Sequence, residues 1–317
     1  MVPVIYDVPP KPPIRAVLKL TYACNQRCAF CRVDALRQTV EDVPAETVVR
    51  KALAAKALGV EMILFSGGEP TMRADLPRLA KAIGSIGMSW GLITNGRRLA
   101  DKAFCEAMLG LGLAYVHTSL HGATAATHDG LVECAAFDEV LVALRQIQGR
   151  GVEVHVNTVV TRTNVGELIA IGELLAGITP ITHKISLAEP KGRFLERTEA
   201  LWVAPEVAGR AAEEAVADCR LHHEAAGLVV VVEGFPPCQV PSAQNAMSGL
   251  RDHNIRYMSE GFEDDMFATD DGARTYLQPC QECTARHACP GVYLGYAERC
   301  GAAGLKAFTD DGDGRTR

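Results

Sequence analysis

The chain has 317 residues, of which 48% are hydrophobic and 22% are charged, and its formal net charge is −6. This length supports one large core, or one large and one small domain. No Lys/Arg run provides the basic footprint of a nucleic-acid-binding protein, and no apolar run is long enough to span a bilayer. The start of the chain has no apolar signal core. The chain has eleven cysteines. Thiols stay reduced in the cytosol, so the clustered ones are expected to act as metal ligands in a cytoplasmic protein.

Apolar strands alternate with helices along most of the chain, after a Pro-rich start (1–13) that predicts an extended arm. Strands are predicted at 16–21, 60–65, 89–94, 114–120, 152–160, 181–187 and 228–232. Helices are predicted at 44–58, 76–86, 101–111, 137–149, 165–175 and 206–226. Such alternation implies parallel strands joined by right-handed crossovers.

The predicted fold is therefore α/β, a partial (β/α)6 TIM-like barrel over residues 14–235. A doubly wound open sheet is the alternative. The strands are nearly continuous apolar runs, as expected when both faces of a sheet are covered. In barrels of this kind the chemistry lies at the carboxyl ends of the strands.

Three cysteines follow the first predicted strand in a C-x3-C-x2-C spacing, Cys24, Cys28 and Cys31. A closed Fe–S site takes four cysteines, so three ligands leave one metal position open, as in catalytic metal sites. A structural zinc site is the alternative. The later strands end in Gly67-Gly68-Glu69-Pro70, in Thr94-Asn95-Gly96 and in Ser119-Leu120-His121. Parallel strands bring all of these segments to one edge of the sheet.

After about residue 235 the chain becomes polar and loses its periodicity. Few apolar residues are available to bury there, which favours a small domain over 236–300 held by metal, followed by a polar tail over 301–317. The cysteines of this region are Cys238, Cys280, Cys283, Cys289 and Cys300.

Taken together, these residues resemble the radical S-adenosylmethionine (SAM) superfamily. Its first signature is C-x3-C-x2-C with an aromatic residue before the last cysteine, here Phe30. Its second is the Gly-Gly-Glu-Pro turn after strand two. Residues 119–129, Asn157 and Pro190-Lys191-Gly192 are similar to the branch with C-terminal auxiliary clusters, called SPASM or twitch domains.

The resemblance implies a [4Fe–4S] cluster on the three cysteines, with SAM bound at its open iron. Reductive cleavage of SAM then gives a 5′-deoxyadenosyl radical that takes a hydrogen atom from a substrate. Glu69 and the backbone of Gly67 and Gly68 are expected to hold the SAM ammonium. Phe30 is expected near the adenine. The other expected SAM contacts are Thr94, Asn95, Ser119, His121, Asn157 and Leu187.

Some of these positions also fit a structural role, and one motif departs from the family. Thr94 and Asn95 fit an ordinary turn, and Leu187 fits an ordinary core position. In sulfatase-maturing relatives an arginine follows the His-Asp pair, whereas Gly130 and Leu131 follow it here. Arg162 is the candidate to replace it at the SAM carboxylate.

The C-terminal cysteines Cys280, Cys283 and Cys289 have the C-x2-C-x5-C spacing of auxiliary-cluster domains. The full pattern has a further cysteine at the position of Tyr293. We predict one auxiliary [4Fe–4S] cluster closed by Cys238, with Cys300 as the rival fourth ligand. A four-cysteine zinc site is the alternative.

The resemblance implies an enzyme that modifies a peptide or protein side chain and receives electrons from a low-potential donor of the flavodoxin or ferredoxin type. One alternative is a radical SAM step in small-molecule or cofactor biosynthesis, including a nucleotide rearrangement like that of the GTP cyclase family. That family spaces its C-terminal cysteines further apart. An alternative of another class is a non-catalytic Fe–S or zinc electron carrier or sensor, which would not need Glu69.

Overall fold

The computed structural model describes residues 14–37, 39–247, 255–258, 267–268, 274–287 and 289–309. The predicted arm over 1–13 and residues 310–317 of the predicted tail lie outside the described residues. The strands are β1 (Arg15–Thr21), β2 (Met62–Gly67), β3 (Ser89–Ile93), β4 (Leu113–Ser119), β5 (Glu153–Val160), β6 (Ile181–Leu187), β7 (Leu228–Glu233), β8 (Ile255–Met258), β9 (Phe267–Ala268), β10 (Arg274–Thr275) and β11 (Val292–Tyr293). The helices are α1 (Ala45–Ala57), α2 (Leu76–Ser85), α3 (Lys102–Gly110), α4 (Ala125–Val132), α5 (Phe137–Ile147), α6 (Leu168–Ala176), α7 (Arg193–Glu196), α8 (Thr198–Leu201), α9 (Pro205–His222) and α10 (Leu294–Cys300).

The main sheet of the described chain has the strand order β7-β6-β5-β4-β3-β2-β1-β8-β9. Strands β1 to β7 are all parallel to their neighbours. Because the first seven strands follow one another in sequence, right-handed crossovers place all their helices on one face. A doubly wound sheet needs a reversal of strand order. The predicted partial barrel is confirmed, and the open-sheet alternative is wrong.

The two faces of the sheet differ in polarity. Val116, Val156 and Ile185 are fully buried between the sheet and its helices. The side chains that alternate with them, such as His117, Asn157 and Lys184, point to the other side, where they are only half-buried. We call this second face the inner side of the sheet. It is polar at these positions of β4 to β6, whereas Val17, Leu64 and Tyr115 form a small apolar cluster separate from the main core.

An ion pair across the inner side shows how strongly the sheet curves. Arg15 on β1 and Glu153 on β5 lie 2.6 Å apart. In a flat sheet these strands would be separated by four strand spacings, about 19 Å, so the sheet curls to bring them together. The Arg15 guanidinium also lies 4.9 Å above the Tyr115 ring. Gly91 leaves room for this ring, because a Cβ at Gly91 would lie 2.7 Å from Tyr115 Cβ.

The C-terminal region packs directly on the barrel. Strand β8 pairs with β1 in parallel, a neighbour that the sequence did not predict. Val240 and Tyr296 belong to the same hydrophobic core as the barrel helices, and the Tyr296 ring lies 4.5 Å from that of Trp202. The sequence analysis expected few apolar residues to be buried after residue 235, but this region contributes side chains to the main hydrophobic core. In the described ranges, no helix combines the length and apolar character needed to cross a membrane.

His183 makes folding depend on pH. Its Nε2 lies 2.9 Å from the Thr158 hydroxyl, which itself donates to Leu120 O. Nε2 therefore carries the hydrogen. Nδ1 is buried and has no hydrogen-bond partner among the described residues. A proton on Nδ1 would be buried without an acceptor, and burial lowers the pKa of His183 to about 4.

We expect the free energy of unfolding to fall as the pH drops from 6.5 to 4, because the unfolded chain takes up the proton first. The His183 share of this loss is on the order of 3 kcal/mol. In His183→Gln the amide keeps a donor for Thr158 but does not titrate, so its stability should fall less steeply. Urea unfolding at several pH values measures both curves, and parallel curves would contradict this assignment.

Candidate active site

The cysteine loop, residues 22–32, follows β1 and lies against the turn that ends β2. Gly68 N–H donates to Thr21 O at 2.7 Å, and Glu69 N–H donates to Ala23 O at 2.8 Å. The thiols of Cys24, Cys28 and Cys31 are free and partly buried. The two motifs that the sequence places at neighbouring strand ends are thus in direct backbone contact.

Both glycines of this turn are required by the approach of the cysteine loop. A Cβ at Gly67, whose φ is +130°, would lie 1.9 Å from Thr21 O. A Cβ at Gly68 would lie 2.3 Å from Ala23 O. The sequence analysis predicted that the backbone of these glycines would approach SAM closely. In the structure these glycines closely approach the loop that carries the thiols.

Glu69 is completely buried and its carboxylate is saturated with donors. Oε1 accepts from Thr71 N–H at 2.9 Å, from the Thr71 hydroxyl at 2.6 Å and from the Thr94 hydroxyl at 2.7 Å. Oε2 accepts from Asn95 N–H at 2.7 Å. Burial raises the pKa of Glu69, and these hydrogen bonds oppose the rise. The structure therefore joins three predicted residues, Glu69, Thr94 and Asn95, into one network.

The cysteine loop is also fixed from the other side of the site. Arg27 N–H and Ala29 N–H donate to the carbonyls of Val132 and Leu131, at 3.2 and 2.8 Å. These carbonyls lie at the end of α4, where helix carbonyls have no partner within the helix. Helix α4 lies within the 119–129 motif and beyond it, but the sequence did not predict it as a helix.

Arg193 is a site residue that the sequence did not predict. Its N–H donates to Cys31 O at 3.0 Å, and its buried guanidinium donates to Cys28 O at 3.1 Å. Gly192, with φ +60°, permits the approach, because a Cβ there would lie 2.4 Å from Cys31 O. The Pro-Lys-Gly motif pointed to this turn, but not to the arginine that follows it.

Phe30 packs against two histidines. Its ring meets that of His121 edge-on at 4.8 Å, and His121 stacks on His128 at 5.8 Å. His121 Nδ1 accepts from Val159 N–H at 3.2 Å, and His128 Nδ1 accepts from His121 N–H at 3.0 Å. Burial lowers the pKa of both histidines, that of His128 to about 4, so both are neutral at pH 7. In the structure His121 supports Phe30 from a buried position past the end of β4.

The remaining predicted SAM contacts divide into two groups. Ser119 lies opposite Asn157 in the β4–β5 register, and the Ser186 hydroxyl donates to Asn157 Oδ1 at 2.6 Å. These three polar residues lie near the carboxyl ends of their strands. Leu187 belongs to the hydrophobic core, which fits its ordinary core role. Arg162 is exposed and donates from Nε to Trp202 O at 2.8 Å.

The thiols of the loop influence one another, and Arg37 lies beside them. Burial raises the pKa of Cys28, and the neighbouring Cys31 and Cys24 raise it further. Arg37 donates from Nη2 to Cys31 Sγ at 3.7 Å, a contact the sequence did not predict. Metal ligands must lose their protons, so loading this site releases protons. The three thiols of this short loop lie beside a cation, and Cys31 adds to the rise that burial causes in the pKa of the other two. They have the donor set of a cysteine-held cluster with one open position.

A second set of thiols lines one cavity, which we call the C-terminal cysteine cavity. Its thiols are those of Cys238, Cys280, Cys283 and Cys289. Cys300 is not among the residues that line it, and the charged neighbours of its thiol are Glu206 and Arg299. Within the described ranges, no three His, Cys, Asp or Glu side chains are arranged around a single metal-ion position.

Residues 305–308, which we call the closing segment, complete the wall of this cavity. Phe308 N–H donates to Cys283 Sγ at 3.4 Å, and the Lys306 backbone is close enough to the Cys238 thiol to oppose the rise that burial causes in its pKa. Gly291 N–H donates to Cys289 Sγ at 3.3 Å. The sequence analysis predicted only a polar tail from residue 301 and did not predict this contact with the cysteines.

The sequence profile of the radical SAM superfamily matches residues 18–175. The chain belongs to this superfamily. Members of the radical SAM superfamily use a [4Fe–4S] cluster and SAM, which agrees with the three-cysteine loop and the turn docked on it.

Three curated radical SAM relatives align with about half of the chain. Fe-coproporphyrin III synthase from Methanosarcina barkeri is 35% identical over 161 residues, which are 50% of this chain and 40% of the relative. A probable GTP 3′,8-cyclase from Saccharolobus islandicus is 30% identical over 50% of this chain and 51% of its own length. PqqA peptide cyclase from Ruegeria pomeroyi is 32% identical over 49% of this chain and 42% of its own length. The chain spans about half the length of these relatives or less.

The fold also resembles solved radical SAM structures over most of the chain. SuiB from Streptococcus suis, bound to the precursor peptide SuiA, superposes with a TM-score of 0.67 and 17% identity. The match covers 90% of this chain and 73% of SuiB. At this level of identity the likeness concerns the fold alone.

We expect Gly68→Ala to weaken the binding of SAM. The added methyl meets two backbone carbonyls, of Ala23 and Tyr22, that cannot move without displacing the cysteine loop. Overpacking of this kind typically costs about 1–3 kcal/mol, so SAM affinity should fall roughly tenfold or more. SAM titration of the reconstituted protein measures this loss. Gly84→Ala in α2 is the matched control, because a Cβ there meets no atom within 4 Å. Equal affinity in both variants would contradict the docking argument.

Proposed function

We propose that the chain is a radical SAM enzyme that removes a hydrogen atom from a polar substrate, a peptide or protein side chain. One observation carries this proposal: the three-thiol loop after β1 is hydrogen-bonded to the Gly-Gly-Glu turn after β2. When bound, the cluster supplies the electron that cleaves SAM to methionine and a 5′-deoxyadenosyl radical. The protein holds the reactants, orients them and excludes water.

The residues around the loop divide this work. Cys24, Cys28 and Cys31 hold the cluster. The N–H groups of Gly68 and Glu69 are already used by the loop, so the turn offers the SAM ammonium its carbonyl oxygens and the negative charge of Glu69. Thr94 and Asn95 act through Glu69 by fixing its carboxylate.

We assign the nucleoside part of SAM to Phe30 and to the carboxyl ends of β4 and β5. Phe30, held by His121, lies next to the adenine. Ser119 and Asn157, paired across β4 and β5, supply hydroxyl and amide groups for the ribose. The Asn157 amide is oriented by the Ser186 hydroxyl, which donates to its oxygen and so directs its N–H donors away from Ser186.

The inner side of the sheet supports a polar substrate. It carries the Lys184–Glu233 ion pair, 3.1 Å long, and the half-buried His117. A peptide is favoured because the relative from Ruegeria pomeroyi, 32% identical over about half of this chain, is a peptide cyclase. Small-molecule or cofactor biosynthesis is the second candidate, supported by the coproporphyrin synthase and GTP cyclase relatives.

We further propose one auxiliary [4Fe–4S] cluster in the C-terminal cysteine cavity, held by the four thiols that line it. Burial raises the pKa of Cys289 to about 11 and also raises that of Cys238, so metal loading must displace their protons. A low-potential flavodoxin or ferredoxin would supply electrons. All eleven cysteines are free thiols, which suits the reducing cytoplasm.

Anaerobic reconstitution with iron and sulfide tests the proposed radical SAM activity. We expect about eight irons per chain, in two clusters of four, and 5′-deoxyadenosine when SAM and a reductant are added. Cys28→Ala should remove about four irons and all deoxyadenosine, because its cluster binds SAM. Cys219→Ala is the control, since its thiol is buried in α9, donates to Leu228 O and belongs to neither proposed ligand set. Bound zinc without SAM cleavage would overturn the proposal in favour of a non-catalytic metal protein.

The fourth auxiliary ligand is tested by a pair of serine variants. Cys238→Ser should lower the iron content by up to about four atoms per chain, because a cluster of this type needs four thiolates. Cys300→Ser should keep the full content, since Cys300 does not line the cavity. Iron and sulfide analysis compares the two, and the opposite result would make Cys300 the ligand.

A further inference from the structure

The closing segment is the last described part of the chain to reach the C-terminal cysteine cavity. Helix α10 ends at Cys300. Gly301, with φ +57°, and Gly304, with φ +72°, then turn the chain. Gly304 lies against α9, where a Cβ would lie 1.9 Å from Glu206 Oε1. The turn returns the chain to the cavity wall at Leu305.

At Phe308 the closing segment both donates and accepts hydrogen bonds with Cys283 and Thr284. Phe308 N–H donates to Cys283 Sγ at 3.4 Å. Phe308 O in return accepts from Thr284 N–H at 2.9 Å and from the Thr284 hydroxyl at 3.2 Å. Because Thr284 follows Cys283 directly, these bonds hold Phe308 N–H over the sulfur.

A second thiol lies beside the same segment. The backbone of Lys306 is close enough to the Cys238 thiol to oppose the rise that burial causes in its pKa. Residues 305–308 therefore influence two of the four thiols. Leu305 and Phe308 also line the cavity.

We propose that the closing segment is a cap that sets the reduction potential of the auxiliary cluster; this inference rests on the auxiliary cluster proposed above. Reduction adds negative charge to the cluster and its thiolates. Hydrogen bonds to the sulfurs stabilise that charge and raise the potential, and cover from solvent changes it further. Phe308 and Lys306 act as positioning residues through their backbone N–H groups, so their side chains matter less than their amides.

A proline scan tests the cap in the full chain. The background is Cys24→Ala/Cys28→Ala/Cys31→Ala, which leaves only the auxiliary site after anaerobic reconstitution. Phe308→Pro removes the N–H that Cys283 accepts, and Phe308→Ala keeps it. An EPR-monitored redox titration gives the midpoint potential of each protein. We expect a clear negative shift for Phe308→Pro and no shift of that size for Phe308→Ala.

A second pair covers the case in which Phe308→Pro does not hold its cluster. Lys306→Pro and Lys306→Ala repeat the comparison at Cys238. Truncation after residue 304 should lower the potential or lose the iron, whereas truncation after residue 309 should behave as the full chain. Equal potentials with equal iron in both proline and alanine variants, at both positions, would overturn the cap.

The result also separates this inference from the function on which it rests. If the triple-alanine background binds no iron, the auxiliary cluster itself is absent and the cap falls with it. The intact protein would then still bind about four irons and form deoxyadenosine, which keeps the radical SAM assignment. If the background binds about four irons and no variant shifts the potential, only the cap is wrong.

Discussion

Two backbone hydrogen bonds, from Gly68 N–H to Thr21 O and from Glu69 N–H to Ala23 O, fix the cysteine loop to the edge of the sheet. Each such bond contributes only about 1 kcal/mol on its own. Their geometry is fixed because other hydrogen bonds hold the turn that donates them in place. Glu69 anchors this turn to the end of β3 through hydrogen bonds from Thr94 and Asn95. Two more, both from Thr71, brace the turn itself, and a carboxylate buried this completely cannot lose those donors without a large cost.

The loop is held on two more sides, by the end of α4 and by Arg193 after β6. Several of its backbone donors and acceptors are therefore paired with other parts of the protein, and its three thiols stay partly accessible. A loop that is ordered before its metal arrives loses less conformational entropy on binding. The same contacts link three different strand ends, so a small shift of one crossover would move the thiols relative to Glu69.

The two cysteine sites share one edge of the barrel. Cys24 follows the end of β1, and Cys238 follows the end of β7 after a short Pro-Pro turn. Between these ends the inner side of the sheet is lined by polar residues such as Asn157 and Lys184. Near the opposite end lie Arg15, Glu153 and the Tyr115 ring. The inner side therefore carries polar groups from several strands between the cysteine edge and this ion pair.

The sequence by itself determined the alternation of strands and helices, and with it the edge at which the cysteines, Glu69, Thr94 and Asn95 lie. These features depend on the periodicity and spacing of residues that are close in the chain, and such local patterns can be recognised from the sequence alone. The tertiary structure alone decided what those residues touch. Arg193 reaches Cys28 across 165 positions, β8 joins β1, and Phe308 reaches Cys283. None of these contacts leaves a local pattern, because each depends on how the curved sheet brings distant segments together.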